Sequence, residues 1–357
     1  MQLIAIQSLP GYLDNQHSPF GILNSLFCSR CCRDRFNGLN HYSKLNWVDS
    51  VDPIPEASET PIADLMDKRA EELIKQGSIA AQWSGGVDST SLVLALIKNG
   101  ISKEDLVILY DKNSVAEYPK LYAWFKEQGW NLREVTKSWR EDLGTIDTDV
   151  ITNGWCADQL FGSIYFHENP KDYSKSFTEL VSGSDVFARP LAKDAIKNAE
   201  EVITKYAEKL FGVKLTIAAE FGWFTNFIMK WTWVSTYNNL YLASFSNRNK
   251  TQPFYNTDYF QAFAIGNFEQ IAPYNIYGSD ARYYKKSLKE YCNSIFPDED
   301  YLTNKTKNPS WQGSSDRTLS DQPIITAKTT EGFKLFNPGS FGYATVAEQI
   351  FTKFLKP

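Results

Sequence analysis

The chain has 357 residues, of which 43% are hydrophobic and 22% are charged, and its 37 basic and 42 acidic residues give a net charge of -5. This length is enough to bury a large core, and the acidic balance disfavours broad binding to nucleic acid. No apolar run approaches the ~20 residues of a membrane span, and residues 1–6 lack a basic start and a long apolar core, so we expect a cytoplasmic protein without membrane contact.

The N-terminal region contains three of the five cysteines. Cys28, Cys31 and Cys32 form a Cys-x-x-Cys pattern and His41 follows, but no second paired element completes the four ligands of a zinc site. An odd, sparse set of cysteines in a chain of this size also disfavours a disulfide framework. We therefore favour packing or an adventitious thiol pair, and zinc stays open as the alternative.

Changes in composition predict three units. The proline-rich linker at residues 52–56 ends a short N-terminal unit, residues 1–58, in which Arg30, Arg33 and Arg35 form a candidate local basic patch. Residues 59–310 follow as the main α/β domain, which begins with a helix that Thr60 and Pro61 open. Residues 311–357 form a C-terminal extension or lid.

The most informative segment begins with an apolar run at residues 79–81 and continues through a glycine turn into a helix-like run at residues 91–97. Adjacent glycines permit a tight turn, hydroxyl groups add donors, and a helix N-terminus carries partial positive charge. This combination suits a pyrophosphate group. The residues predicted to bind it are Ser84, Gly85, Gly86, Val87, Asp88, Ser89 and Thr90.

Asp88 would be repelled by bare phosphate at this position. A divalent cation that bridges its carboxylate to phosphate oxygens removes the conflict, so the turn predicts a nucleotide together with magnesium. The turn lacks the lysine of a Walker loop, and its glycines are adjacent rather than spaced as in a Rossmann fingerprint.

Strands alternate with helices along the following residues. Residues 106–110 and 132–135 have strand character, and the segment from Lys120 to Gln128 has helix character. The alternation predicts a parallel sheet with helices on both faces, which binds ligands beyond the carboxyl ends of its strands. A second polar motif, residues 153–163, follows another short apolar run and falls at such an end.

The glycine turn resembles the loop of the N-type ATP pyrophosphatases, the PP-loop superfamily, and residues 153–163 resemble the signature of its asparagine synthetase group. The resemblance implies an adenine-nucleotide α-hydrolase-like fold with a helical C-terminal part. It also implies ATP as the nucleotide, Gly154 beside it, and Asp88 with Asp158 as the pair that holds Mg²⁺. Trp155, Cys156 and Gln159 depart from the signature, which leaves substrate choice open and Cys156 as an alternative nucleophile.

The later part of the chain extends the resemblance. Residues 284–290 and 302–307 are similar to a helix and a lysine-bearing loop of the group, which implies that Lys307, or next Lys305, neutralises charge on the α-phosphate. Pro253 and Phe254 match a Pro-Phe pair, but no carboxylate precedes them at residues 247–252. The aromatic segment from Phe221 to Trp233 predicts helix packing, with an aromatic substrate pocket as the alternative.

Together these features predict an ATP-dependent, AMP- and pyrophosphate-forming ligase. It would adenylate a small-molecule carboxylate and pass the acyl group to ammonia or an amine. We expect no glutaminase domain like that of glutamine-dependent asparagine synthetases, so the nitrogen would come from free ammonia, from an amine substrate, from an intramolecular amine or from a separate ammonia-supplying protein. Two alternatives stay open: a nucleic-acid or base-modifying PP-loop enzyme, and a non-catalytic nucleotide-binding protein.

Overall fold

The computed structural model describes thirteen stretches of the chain. They are residues 2–7, 18–27, 30–42, 52–136, 142–143, 145–162, 174–183, 191–231, 234–235, 250–274, 280–305, 325–329 and 332–336.

The centre of the fold is a parallel sheet of four strands. The strands are Ile79–Gln82 (β3), Leu106–Tyr110 (β4), Asn131–Glu134 (β5) and Val150–Thr152 (β6). Their spatial order is β5-β4-β3-β6, and Ile79 pairs with Leu106 on one side and with Val150 on the other. Because the chain order reverses beside β3, the loops after β3 and β6 lie next to each other at the carboxyl edge.

Strands β3, β4 and β6 are short, largely apolar runs because both faces of the sheet are covered there, whereas the edge strand β5 is mostly polar. Ile79 and Ala81 point into the larger of two hydrophobic clusters, whereas Ala80 points to the opposite face, where Leu109 and Ile151 join it. The alternation follows from the two-residue period of a strand. The predicted α/β class and the parallel sheet are confirmed, and each predicted strand lies within one or two residues of its expected bounds.

Helices account for most of the remaining described chain. In chain order they are Pro19–Phe27 (α1), Ile62–Ile74 (α2), Val87–Lys98 (α3), Lys112–Glu117 (α4), Pro119–Glu127 (α5), Ala157–Phe161 (α6), Phe177–Ser182 (α7), Lys193–Phe211 (α8), Ala218–Thr225 (α9), Asp258–Gly266 (α10), Phe268–Ile271 (α11), Lys286–Ile295 (α12) and Glu299–Asn304 (α13). Helix α3 packs against both α2 and α12.

The predicted aromatic segment packs as a helix in the core. Helix α9 continues directly into a π-helix at Asn226–Lys230, and Phe221, Trp223, Phe224 and Phe227 are fully buried. Stacked and edge-to-face rings fill this region: the Trp223 ring lies 5.0 Å from that of Phe227. The interpretation as helix packing is confirmed for residues 218–231.

A second sheet is antiparallel and joins distant parts of the chain. Gln2–Gln7 (β1) pairs with Arg30–Cys32 (β2) on one side and with Ile325–Thr329 (β7) on the other, and Gly332–Phe336 (β8) completes the sheet. The predicted N-terminal unit and C-terminal extension therefore share hydrogen bonds. The residues beyond 336 and the segment 306–324 lie outside the described residues.

The predicted basic patch near the N-terminus is wrong for two of its three arginines. Arg33 and Arg35 are 4% and 1% exposed, and both face the carboxylate of Asp52. The Arg35 guanidinium lies between aromatic rings, 4.5 Å from the ring centre of Phe227, and burial lowers its pKa to about 10. The pattern of apolar residues in the sequence does not reveal that these arginines are buried, because Asp52 and Phe227, which they contact, lie elsewhere in the sequence.

None of the described helices is both long enough and apolar enough to cross a bilayer.

Candidate functional site

Hydrogen bonds made by its own serine hydroxyl groups stabilise the turn between β3 and α3. The hydroxyl of Ser89 accepts a hydrogen bond from the backbone N–H of Ser84 at 3.0 Å, and its oxygen lies 2.9 Å from that of the Ser84 hydroxyl. Ser89 Oγ also donates to the carbonyl of Gly86 at 3.1 Å. These bonds fix the turn so that helix α3 begins with Gly86 as its N-cap.

Gly85 is required at its position for two reasons. Its φ of +77° lies in the left-handed region, and a Cβ there would lie 2.6 Å from the carbonyl oxygen of Ser114 and 2.8 Å from Cβ of Glu117. The turn therefore packs tightly under helix α4, and Glu117 lies directly against it.

Thr90 faces away from the turn. It is fully buried and its hydroxyl accepts a hydrogen bond from the indole N–H of Trp83 at 3.1 Å. The sequence placed Thr90 among the phosphate donors, but in the structure it stabilises the turn from beneath. Val87 and Ser89 are also largely buried, whereas Ser84, Gly86 and Asp88 are partly exposed.

The second motif begins where β6 ends and lies against the start of α3. A Cβ on Gly154 would lie 3.0 Å from Cβ of Asp88 and 3.1 Å from the backbone nitrogen of Ser89, so glycine permits this close approach. Cys156 then adopts a φ of +72° and precedes α6, which carries Asp158 in its first turn. The sheet topology thus brings Gly154 and Asp158 to Asp88, as the sequence predicts.

A lysine that the sequence analysis did not single out connects the two aspartates. The ammonium of Lys285 donates to both carboxylate oxygens of Asp88, at 2.6 and 2.5 Å, and to Asp158 Oδ1 at 2.6 Å. The Lys285 side chain is 2% exposed, and those of Asp88 and Asp158 are 22% and 32% exposed. Burial by itself lowers the pKa of Lys285, but the carboxylates of Asp158 and Asp88 outweigh it and hold this pKa well above its ordinary value.

The backbone around Lys285 is unusual for a lysine. Lys285 is the N-cap of α12 and has φ and ψ of 49° and 37°, which is the left-handed region. A cation at a helix N-terminus also opposes the helix dipole. Two lysines at the start of a predicted helix are unfavourable for this reason. Their presence was the sequence signal that carboxylates from elsewhere in the fold compensate the charge.

A second lysine approaches the turn from the opposite end of this helical region. The ammonium of Lys305 lies 2.6 Å from Oε1 of Glu117, and these side chains are 9% and 7% exposed. Lys289 donates to the carbonyls of Ala281 and Lys305 and thereby anchors the residues around both lysines to α12. Lys307, the first choice for the catalytic lysine, lies outside the described residues.

The short helix that carries Asp158 is fixed by the aromatic helix beneath it. Asn226 Nδ2 donates to the Asp158 carbonyl at 2.8 Å, and the indole N–H of Trp223 donates to the Leu160 carbonyl at 2.9 Å. Gln159 is buried and its amide reaches Asn226 Oδ1 at 3.4 Å. Gln159, which differs from the residue in the asparagine synthetase signature, therefore lies in the core rather than on the open side of the site.

Cys156 does not have the surroundings of a nucleophile. Its side chain is 1% exposed, and burial raises the pKa of its thiol despite the nearby Arg35 guanidinium. The structure supports the interpretation as a packing residue. Among the described residues no group of three or more His, Cys, Asp or Glu side chains forms a metal site, and Cys28 lies outside them.

The segment with Pro253 and Phe254 runs beside β6 and supports the site from behind. The guanidinium of Arg69 donates to the carbonyl of Phe254 at 3.1 Å. The hydroxyl of the neighbouring Tyr255 lies 2.6 Å from that of Ser91 and donates to the carbonyl of Asp88 at 3.2 Å. This segment therefore positions the first turn of α3.

A cavity of about 320 Å³ is lined in part by Lys285. Its wall combines aromatic rings with polar groups, and it reaches Lys285 from the direction of α10 and α11. Lining residues include Phe161, Phe263, Asn267, Tyr274, Tyr283 and Lys285. The volume lies at the lower end of the range found for small-molecule sites.

Comparison with known proteins gives no family for this chain. No family model matches it, and no curated protein matches it. The function is therefore inferred from the geometry of the turn, the two aspartates and the lysines.

Proposed function

We propose that this chain is an ATP-dependent ligase that forms AMP and pyrophosphate while it activates a carboxylate for transfer to an amine or ammonia. The observation that carries the proposal is the convergence of Asp88 and Asp158 on one ammonium group, beside a glycine turn at the carboxyl edge of a parallel sheet. Ligands of such sheets bind at this edge, where the strand order reverses.

The donor set of this site fits a magnesium ion. Asp88 and Asp158 come from different strand ends and contact the same atom, so a single cation is able to bridge them. Magnesium typically binds one or two carboxylates together with the phosphates of a nucleotide, which agrees with two aspartates next to a phosphate-binding turn. When bound, the ion would neutralise charge on the pyrophosphate group.

The glycine turn would hold the pyrophosphate through backbone N–H groups at the start of α3. A Walker loop carries its lysine within the loop itself. Here the positive charges are those of Lys285 and Lys305, which lie on either side of the turn. Both lysines are nearly buried, so their charges act in a medium of low dielectric. Because Lys285 is paired with Asp88 and Asp158 and Lys305 with Glu117, a polyphosphate would bind here only together with a cation that takes over the two aspartates.

The proposed reaction has two steps. A carboxylate oxygen of the substrate attacks the α-phosphorus of ATP, and the bond from that phosphorus to the oxygen of the leaving pyrophosphate breaks. The amine nitrogen then attacks the acyl carbon, AMP leaves with the bonding electrons, and the nitrogen loses a proton. Lys305, and by resemblance Lys307, would stabilise the negative charge that develops on the α-phosphate.

We assign the carboxylate substrate to the cavity beside Lys285. The cavity shares Lys285 with the two aspartates and Phe161 with the helix that carries Asp158.

The test measures AMP and pyrophosphate from ATP and magnesium, with a metabolite extract and then fractionated carboxylates as substrate. We expect substrate-dependent formation of both products, and loss of both in Asp88→Asn. Asp64→Asn is the matched control, because Asp64 also lies in the first turn of a helix but is exposed and remote from the turn. Equal activity in Asp88→Asn and wild type contradicts the metal assignment. Binding of ATP without its cleavage, whichever carboxylate is added, favours a non-catalytic nucleotide-binding protein.

A further inference from the structure

Lys285 occupies the place between the two aspartates that a metal ion would need. Its ammonium contacts three carboxylate oxygens from Asp88 and Asp158, all at 2.6 Å or less, and its side chain is 2% exposed. An ammonium of this kind satisfies its three hydrogen-bond donors there at the same time.

The charges show why the lysine and a divalent cation exclude each other. The two carboxylates and the ammonium together carry one net negative charge. If a divalent cation entered with the ammonium still in place, three positive charges would face two negative charges within a few ångströms, in a largely buried site. Repulsion between like charges is strong in such surroundings.

The fold holds the lysine in this position at a cost. Lys285 has a left-handed backbone conformation and lies at a helix N-terminus, where a cation is unfavourable. Its backbone carbonyl accepts the N–H of Lys289, whose side chain anchors two further carbonyls. The contacts with the carboxylates offset this cost, so the ammonium leaves only when another anionic group accepts it.

We infer that Lys285 is a resident counter-ion that keeps divalent cations away from Asp88 and Asp158 until a polyphosphate enters the site and accepts its ammonium. The inference rests on the proposed function, which identifies the polyphosphate as that of a nucleotide. It predicts that metal and nucleotide bind together, and that the free enzyme has no strong metal site at these aspartates.

The experiment measures Mn²⁺ binding without nucleotide, by the loss of the free-ion signal in electron paramagnetic resonance. We expect little binding in wild type and a new site in Lys285→Met with at least tenfold higher affinity, because the pair of carboxylates then lacks this counter-charge. Adding Asp158→Asn to Lys285→Met should remove the new site. Lys286→Met is the matched control, since it deletes a neighbouring exposed ammonium that pairs with Glu290 instead.

A second measurement protects the test against a variant that folds poorly. Lys285→Gln retains a polar side chain, and Mn²⁺ should raise the melting temperature of both Lys285 variants more than that of wild type. Equal Mn²⁺ affinity in wild type and Lys285→Met, or an equal gain in Lys286→Met, would overturn the inference. If wild type fails to bind ATP with magnesium while Lys285→Met gains the Mn²⁺ site, the proposed function fails and the exclusion by Lys285 stands.

Discussion

Asn226 donates its side-chain amide to the backbone carbonyl of Asp158 at 2.8 Å, from the first residue of a π-helix. Such interruptions of an α-helix occur frequently at functional sites. Here the interruption lies in the buried aromatic helix, and Asn226 is 1% exposed. The core thereby fixes the backbone of one of the two proposed metal ligands.

Replacement of Asn226 by alanine should loosen this ligand. The change leaves the Asp158 carbonyl and the Gln159 amide without this partner, so we expect a loss of about 2 kcal/mol in the free energy of unfolding. We also expect a higher magnesium concentration at half-maximal activity. Asn99→Ala is the control, because Asn99 also makes two side-chain bonds, to Asp67 and the Ala95 carbonyl, away from the site. A similar magnesium requirement in both variants would show that Asn226 has only a structural role.

Replacement of Gly85 by alanine should damage the turn more than its φ alone explains. The new Cβ would meet the Ser114 carbonyl and the Glu117 side chain, whereas a Cβ on Gly129, with a φ of +71°, meets nothing within 4 Å. Gly129→Ala should therefore cost only about 1 kcal/mol for the left-handed conformation. Urea unfolding of both variants measures the difference, and nucleotide binding should weaken only in Gly85→Ala. Equal costs would contradict the close packing under α4.

The buried ammonium of Lys289 should make stability depend on pH. Burial lowers its pKa from 10.5 to about 8. The unfolded chain then binds more protons than the folded chain between about pH 8 and 10.5, so the free energy of unfolding rises with pH across this window, by up to ~1 kcal/mol per pH unit. Well below pH 8 both states carry the proton and this dependence disappears.

The measurement compares urea unfolding of wild type and Lys289→Met at pH 7, 8 and 9. The comparison removes contributions from other groups, including tyrosines that titrate at higher pH. We expect the stability of wild type relative to the variant to increase from pH 8 to pH 9, and to increase much less from pH 7 to pH 8. A relative stability that falls with pH would mean that the folded state raises the pKa of Lys289 instead.

The two cysteines with described side chains should resist alkylation in the folded chain. Cys156 and Cys292 are 1% and 2% exposed, and burial raises the pKa of both thiols. Iodoacetamide should label them only after denaturation, as peptide mass spectrometry will show residue by residue. Rapid labelling of Cys156 under native conditions would restore it as a candidate nucleophile.

The glycine turn and the parallel sheet could be predicted because their signals are local. A strand, a turn and a helix that are contiguous in sequence specify their own geometry, as residues 79–98 do. The pairing of Asp88 with Asp158 was predicted from the resemblance to the asparagine synthetase group, and the sheet explains their meeting, since the carboxyl ends of neighbouring parallel strands lie at one edge. The inward orientation of Thr90 did not follow, because it depends on the Trp83 indole beneath the turn.

Lys285 was missed because its contacts are distant in sequence. It lies 197 residues from Asp88 and 127 from Asp158, and nothing in its neighbourhood reveals which carboxylates it meets. The same applies to Arg33 and Arg35, which sequence alone presents as surface cations. Local patterns specify elements and turns, whereas buried ion pairs depend on tertiary packing that only the complete fold provides.

The antiparallel sheet joins strands that are translated at widely separated times. Strand β1 emerges first, with β2 soon after it, but its partner on the other side, β7, is translated after the entire parallel sheet and its helices. Pairing of such distant segments is slow, because the intervening chain must first be brought together. One edge of β1 therefore has no strand to pair with until β7 has been synthesised, so this sheet is completed only after the parallel sheet and its helices have been translated.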